Sequence, residues 1–488
     1  LHDEGVVITD DYKVYSGKLK INSNLTDKLK LGLSITPSYS KRRRLPTSIH
    51  NPTRQSPWLP IYHSAETLQF INRDAYPDVG IGDYFYENHL VELDLDGNGS
   101  DNRPRTSGDA NPYAQYVERE HYEFNTKLLT SAYLSYKVMD GLTAKSSLGV
   151  TIEQRKRTRW DGTQHHSSGN SRAQYLLQNK IKSRLIFDNT LSYNKDIGNH
   201  QISALAGFTI QKRKAETSQI VGTGYSNDLL KNLQGATTIV SEGEYNINKN
   251  KIGYFGRVSY AFDNKYLINA SFRRDGSSVF GVDSKWGNFP AVSLGWNASN
   301  EAFLADSEIL NKLKLRVSYG LTGAENFNVG NVSVNAWPYL AQLSNTNSII
   351  NGGITAGNSP LNIANALLQW EASEEFNPGI DFGFLNNRIT GSIDYYKRTS
   401  DKLLLNNPVS YVTGFNNGIV NLGKVANSGW EFELRTNNIS IDRFSWKSTF
   451  IASTNKNELL EYGESDGALT EDGGGRNFKW INSVGNPF

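Results

Sequence analysis

The chain has 488 residues, 51 Lys and Arg against 49 Asp and Glu, and a formal net charge of +2. So balanced a charge lacks the basic excess that nucleic-acid partners require. No cysteine is present, which excludes disulfides, thiolate metal sites and cysteine nucleophiles. No apolar run approaches the roughly 18 residues of a transmembrane helix.

The chain begins Leu1-His2-Asp3 without an apolar leader core, so a fragment of a longer chain is expected. From there on the dominant pattern is period-two alternation. Leu29, Leu31, Leu33 and Ile35 alternate with Lys30, Gly32, Ser34 and Thr36; Leu313 to Leu321 and Trp430 to Leu434 behave alike. Successive strand residues point to opposite faces, so each segment has one apolar and one polar face. About fourteen strands are predicted, near 12–23, 28–40, 123–137, 142–159, 179–194, 200–214, 251–262, 265–275, 288–298, 312–322, 367–385, 388–400, 427–438 and 443–455.

Short connections such as Met139-Asp140-Gly141 and Asp263-Asn264-Lys265 alternate with long ones near 41–122, 215–250, 323–366 and 401–426. Outer-membrane barrels have this asymmetry, with tight periplasmic turns and long extracellular loops. Ser299 to Asn311, on the short side, reads as a small helical turn. The mean hydropathy of −0.52 suits such a wall, and 25 Tyr, 21 Phe and 9 Trp supply aromatic girdles. A soluble β architecture also has one apolar face per strand. The strands of ten or more residues favour a tilted bilayer crossing.

The long connections hold the candidate chemistry. Lys41–Arg44 is either a solvated loop base or an anion or lipid-headgroup contact. Trp58, Tyr62, Tyr84, Phe85, Tyr86, Tyr113 and Trp337 either stack on substrate or lid or form each loop's own core. Asp94, Asp96, Asn98 and Ser100 alternate around Gly97 and Gly99, as in the start of a calcium loop, but the twelfth position is Arg105 rather than Glu. A structural Ca²⁺ and a solvated Asp/Gly turn are the two readings. His165-His166 reads as a surface turn, and Glu374-Glu375 gives no hydrolytic spacing. No nucleophile-elbow, zincin or P-loop motif occurs, so no catalytic residue and no other cofactor is expected.

Several motifs, in this order, resemble the barrel of SusC/RagA-type TonB-dependent outer-membrane transporters. They are Ser271-Phe272-Arg273-Arg274-Asp275-Gly276-Ser277-Ser278-Val279-Phe280, Trp286 to Trp296, Glu301-Ala302-Phe303 and Leu313 to Gly323. Trp370-Glu371, Asn377 to Gly383, Asn387 to Arg398, Leu403-Leu404-Leu405, Asn421 to Val425 and Asn427 to Glu431 follow. Tyr15 to Leu19, leading to Tyr39-Ser40-Lys41, is similar to an earlier hairpin of that family. In the Arg273–Ser278 stretch, Asp-Gly-Ser-Ser is turn chemistry at a strand end, and a structural role is expected.

The resemblance implies an all-β transmembrane antiparallel barrel of about 22 strands, of which residues 1–488 are a barrel fragment without the plug. It implies outer-membrane localisation in a Gram-negative bacterium and import of oligosaccharide or peptide. The implied partners are a SusD-like lid lipoprotein and TonB, acting through a segment missing from this chain, with a dimer of importer–lid pairs. Val484-Gly485-Asn486-Pro487-Phe488 resembles an internal motif, so a truncation is expected there. The rival functions are a barrel-anchored adhesin, a porin and a soluble polysaccharide-degrading enzyme.

Overall fold

The computed structural model describes the chain except residues 1, 6, 45–57, 95–96, 100–110, 165, 168–169, 172, 326–327, 330–331, 334–336, 351–352, 463–467, 473–478 and 488. It also leaves out the side chains of 166–167, 170–171, 241–242, 328–329, 332–333, 350, 468–472 and 479–481.

One antiparallel sheet dominates, and its strands pair in chain order as a meander. Leu29–Arg43 pairs with Arg119–Met139, which pairs with Leu142–Asp161. Gln174–Ile197, His200–Thr223, Thr238–Phe262, Tyr266–Ser277 and Trp286–Asn297 follow. Leu310–Ala324, Glu371–Phe384, Ile389–Asp401, Lys424–Ile441 and Phe444–Ser453 complete the run. At the other edge Asp11–Ser16 and Leu19–Asn24 both pair with Leu29–Arg43, as two halves of one broken strand. Every segment predicted as a strand contains one, and the segment 12–23 contains two. Among the described residues no pairing joins the two edges, so the sheet is open.

The strand ends differ from expectation. Most of the stretch 215–250, predicted as a loop, belongs to His200–Thr223 and Thr238–Phe262, which leaves a connection of residues 224–237. Residues 323–366 and 401–426 each contain a hairpin: Leu343–Ile350 with Gly353–Pro360, and Leu404–Pro408 with Asn417–Asn421. Of Ser299–Asn311, Ser299 and Asn300 end the short 3-10 helix Ala298–Asn300, residues 301–309 are mostly turns and bends, and Leu310 and Asn311 begin Leu310–Ala324.

Register separates two faces. Val258, Ala270 and Val292 stand in one row, and Val317 stands beside Leu294. This apolar face does not pack on a second sheet: Leu315 is 37% and Tyr319 42% exposed. The accessible surface is 30378 Å², against about 18,000 Å² expected for a compact monomer of this mass. The excess is the signature of a sheet that leaves its apolar face uncovered by protein.

Aromatic rings border the apolar band at both ends. On the long-connection side Tyr254 stacks on Trp286 at 6.2 Å, Arg274 lies over Trp286 at 5.1 Å, and Tyr395 packs on Trp430 at 5.1 Å. On the short-turn side Tyr266 and Trp296 both donate to the Glu301 carboxylate, at 2.6 and 3.1 Å. Those bonds, Tyr266 first, hold the Glu301 carboxyl below its usual range. Rings with one wet edge suit the interface between lipid and water.

Candidate functional site

The polar face of the later strands carries ion pairs. Arg316 sits directly opposite Gly379, and Gly379 opposite Asp394. The Arg316 guanidinium reaches Asp394 at 2.6 Å and Asp381 at 3.5 Å. A Cβ on Gly379 would come within 2.4 Å of Asp394 and 2.7 Å of Arg316. The missing side chain is what lets the pair close. Three separate sequence motifs thus meet in one cluster. Arg273 and Asp275 repeat the device at 2.7 Å, beside Gly253.

The turn after Asp275 locks the top of the wall. Ser278 exchanges two hydrogen bonds with Asn250, its backbone N–H donating to the carbonyl and its Oγ accepting from the N–H, both at 2.9 Å. The Ser277 Oγ accepts from Val279 at 3.4 Å. Phe280 is 0% exposed and packs with Val279, Leu368, Trp370 and Leu404. The Trp370 indole donates to the Lys285 carbonyl at 3.1 Å, and Leu404 N–H donates to Glu371 at 2.8 Å. Gly276 carries no side chain into the Trp286 ring, which lies 3.0 Å from where a Cβ would stand. In the structure Arg273–Ser278 therefore bonds to its own neighbours.

The connection before Arg119 builds its own small core. Tyr84, Tyr86 and Ala114 form one buried cluster; Ile71, Phe85 and Leu90 form another. Asn111 caps the helix Pro112–Val117 through its side-chain oxygen and donates to Ile61 and Phe85 carbonyls at 2.7 and 3.2 Å. His63 Nε2 and His89 Nδ1 are 3.1 Å apart, and burial holds His63 below its ordinary pKa. The Tyr84 hydroxyl donates to Glu118 at 2.8 Å; burial, then that bond, raises its pKa. The Tyr86 hydroxyl reaches the Gln164 carbonyl of the next connection at 3.1 Å.

The aromatic residues singled out in sequence thus separate. Tyr84, Phe85 and Tyr86 are core. Tyr62 stacks on Tyr84 at 5.3 Å with Tyr113 edge-on at 6.2 Å, yet remains 44% exposed; Tyr113 is 36% and Trp58 90% exposed. Trp337 is half-buried in a different connection, its carbonyl accepting from Leu340 and Gln342. Of the possible calcium ligands, both Asp94 carboxylate oxygens accept from the turn itself, from Asn98 at 3.1 Å and Gly99 at 2.9 Å. Asp96, Ser100 and His165 lie outside the described residues.

Sequence reasoning missed the polar face of the earlier strands. Arg155, Arg157 and Arg159 share it with Lys180, Lys182 and Arg184. Both triplets recur at every second residue, a signal open to inspection in the sequence.

Residues 67–487 match the family described as TonB dependent receptor-like, beta-barrel. A TonB-dependent receptor of Formosa agariphila, P39, is 33% identical over 388 residues, which cover 77% of this chain and 35% of the relative. The TonB-dependent receptor SusC of Bacteroides thetaiotaomicron is 36% identical over 214 residues, 43% of this chain and 21% of the relative. Among solved structures the RagAB peptide transporter superposes with a TM-score of 0.76 over 98% of this chain and 50% of that one, at 22% identity. The chain spans from about a third to under half the length of its three long curated matches, 35% to 44%. The resemblance to SusC/RagA-type transporters is borne out, and the chain belongs to the TonB-dependent receptor β-barrel family of outer-membrane proteins.

Proposed function

We propose that this chain is part of the wall and extracellular rim of an importer that draws oligosaccharide or peptide chains through the outer membrane of a Gram-negative bacterium. One observation carries the reading. The sheet has an uncovered apolar face edged by rings at both ends, and a polar face that must then line an enclosed aqueous space.

A plug from outside this chain fills that space, and a TonB-linked motor moves the plug. A SusD-like surface lipoprotein covers the rim, and two importer–lid pairs assemble together. RagAB, a peptide transporter by description, supports the peptide alternative; SusC supports the family's receptor role. The chain's own residues bind, orient and admit, and no covalent step is assigned to them.

The test is uptake of a fluorescent oligosaccharide by cells that carry the complete protein. Uptake should stop when TonB is deleted, and a lipoprotein should co-purify under mild detergent. Uptake that persists without TonB would return the protein to the porin class.

A further inference from the structure

The five strands from Arg119 to Phe262 run 21, 20, 24, 24 and 25 residues. A tilted strand crosses the bilayer in about 9–11 residues. Counted from the tight turns at Asp140-Gly141 and Gly198-Asn199, the crossing ends near residues 152, 187 and 210. Arg155, Arg157, Lys180, Lys182, Arg184 and Arg213 therefore stand on the polar face of a wall that rises beyond the membrane.

Two pairs of these cations face each other, whereas Glu123 is directly opposite Arg157 and Glu153 directly opposite Lys182. Lys180 is directly opposite Arg155, and Arg184 directly opposite Arg213. Like charges placed this way destabilise a sheet, so folding alone gives no reason for them. Arg155 has Glu153 at 3.3 Å and Glu123 at 3.7 Å. Among the described residues Arg157, Lys180, Lys182, Arg184 and Arg213 make no ion pair with a carboxylate. Arg184 and Arg213 share only the Gln211 side-chain oxygen, with nitrogens between 2.5 and 3.2 Å from it. Arg157 donates to the His121 ring at 2.5 Å.

The crowding registers on neighbouring groups. Burial, then Arg157, Arg44, Arg159 and Arg119, push His121 down to about 4. Burial, then Lys182 and Arg155, lower Lys180.

Cross-strand neighbours lie about 5 Å apart and alternate residues about 7 Å apart. That grid suits a flexible chain with an anionic group on each unit better than one point charge. Guanidinium forks bind carboxylate and sulfate oxygens two at a time. The exposed rings of Tyr62 and Tyr113 belong to the connection rooted at the ends of these strands: Tyr84, on which Tyr62 stacks, bonds Glu118, and Glu118 accepts from Gly162 at 2.9 Å. Exposed rings on the connection above these strands favour a sugar chain over an acidic peptide.

We infer that this raised basic wall is the entry subsite for an acidic glycan, one bearing uronate or sulfate groups. The inference rests on the importer reading.

The test uses the full-length protein in detergent and three probes of similar length: an oligogalacturonate, a neutral maltodextrin and an oligoglutamate. Calorimetry at low and high salt should show the oligogalacturonate binding most tightly and losing affinity with salt, because exposed charge is screened. The K180Q/K182Q/R184Q variant should weaken it by about tenfold and flatten the salt dependence. K180R/K182R should restore it. Heat-modifiable migration on gels checks that each variant still forms a barrel.

Equal oligogalacturonate binding by wild type and variant overturns the subsite. Equally tight oligoglutamate binding, lost in the same variant, overturns the glycan assignment in favour of a peptide. Open conductance in the variant with unchanged glycan affinity means that the patch holds the plug, and overturns it too. If neutral glycan is taken up with TonB dependence while the acidic probe never binds, this inference fails and the importer reading stands. If the acidic probe binds but uptake ignores TonB, the importer reading fails alone.

Discussion

The strands up to Phe262 and those after it solve different problems with one sheet. The earlier five run 20 to 25 residues; their polar face holds ion pairs, Arg119 and Arg159 with Asp161 and Arg155 with Glu123 and Glu153, and beside them Lys180, Arg184 and Arg213, which make no ion pair with a carboxylate among the described residues. The next five run 12, 12, 15, 14 and 13 residues, and Arg273 and Arg316 on their polar face are pinned to Asp275 and to Asp381 and Asp394. The short group is little more than bilayer-thick, where an unpaired charge is costly and neutralisation pays for burial. The tall group rises beyond the crossing, where water screens opposed like charges and reduces their cost to a few tenths of a kcal/mol.

The largest effect is expected on the short side. Phe280→Ala empties the center of the cluster that caps it, at a cost of about 3–5 kcal/mol. It should lower the unfolding midpoint in detergent and speed cleavage near 278–285, while the tall strands hold. Arg316→Ala strands Asp394, which is 8% exposed, and should cost about 3 kcal/mol; an unchanged midpoint would break the contrast between paired and unpaired walls. The same loss should follow Gly379→Ala, through the same pair.

The connection on the tall side should respond to acid. Burial disfavours the protonated form of His63, whose folded pKa is depressed below its ordinary value of 6.5. Its contribution is complete above that value and is lost as pH falls through it toward the folded pKa. Limited proteolysis of residues 58–118 should therefore accelerate below about pH 6.5, and His63→Asn should remove most of the acceleration. On the tall wall itself Arg184→Gln should raise stability by a few tenths of a kcal/mol, about the size of one relieved like-charge pair, measured by urea midpoint. The smallest effect concerns the Asp94 turn. Its carboxylate already accepts the N–H groups of Asn98 and Gly99, so EDTA should leave cleavage of the 91–99 segment unchanged. Protection lost on chelation would favour the calcium loop.

Strand position was legible where one face meets lipid. Leu313 to Leu321 and Trp430 to Leu434 alternate plainly because hydrocarbon demands it. Above the bilayer both faces are wet. Lys212, Lys214 and Glu216 then stand where apolar residues would be, and 215–250 reads as a loop although most of it is strand. Side-chain partners were less legible. Arg316 and Asp394 are 78 residues apart, and only the register brings them together. Tyr84 and Tyr62 look alike in sequence and stack on the same side of one bridge, yet Tyr84 is packed into the cluster with Tyr86 and Ala114 while Tyr62 stays 44% exposed.

The unequal strand lengths give the mouth a step. Ten surplus residues at about 3.3 Å each, tilted at about 40°, lift one part of the rim by roughly 25 Å above the rest. The step leaves the polar face of the longer strands presented lengthwise beyond the crossing, while the shorter strands carry the hairpins Leu343–Ile350 with Gly353–Pro360 and Leu404–Pro408 with Asn417–Asn421 in their connections.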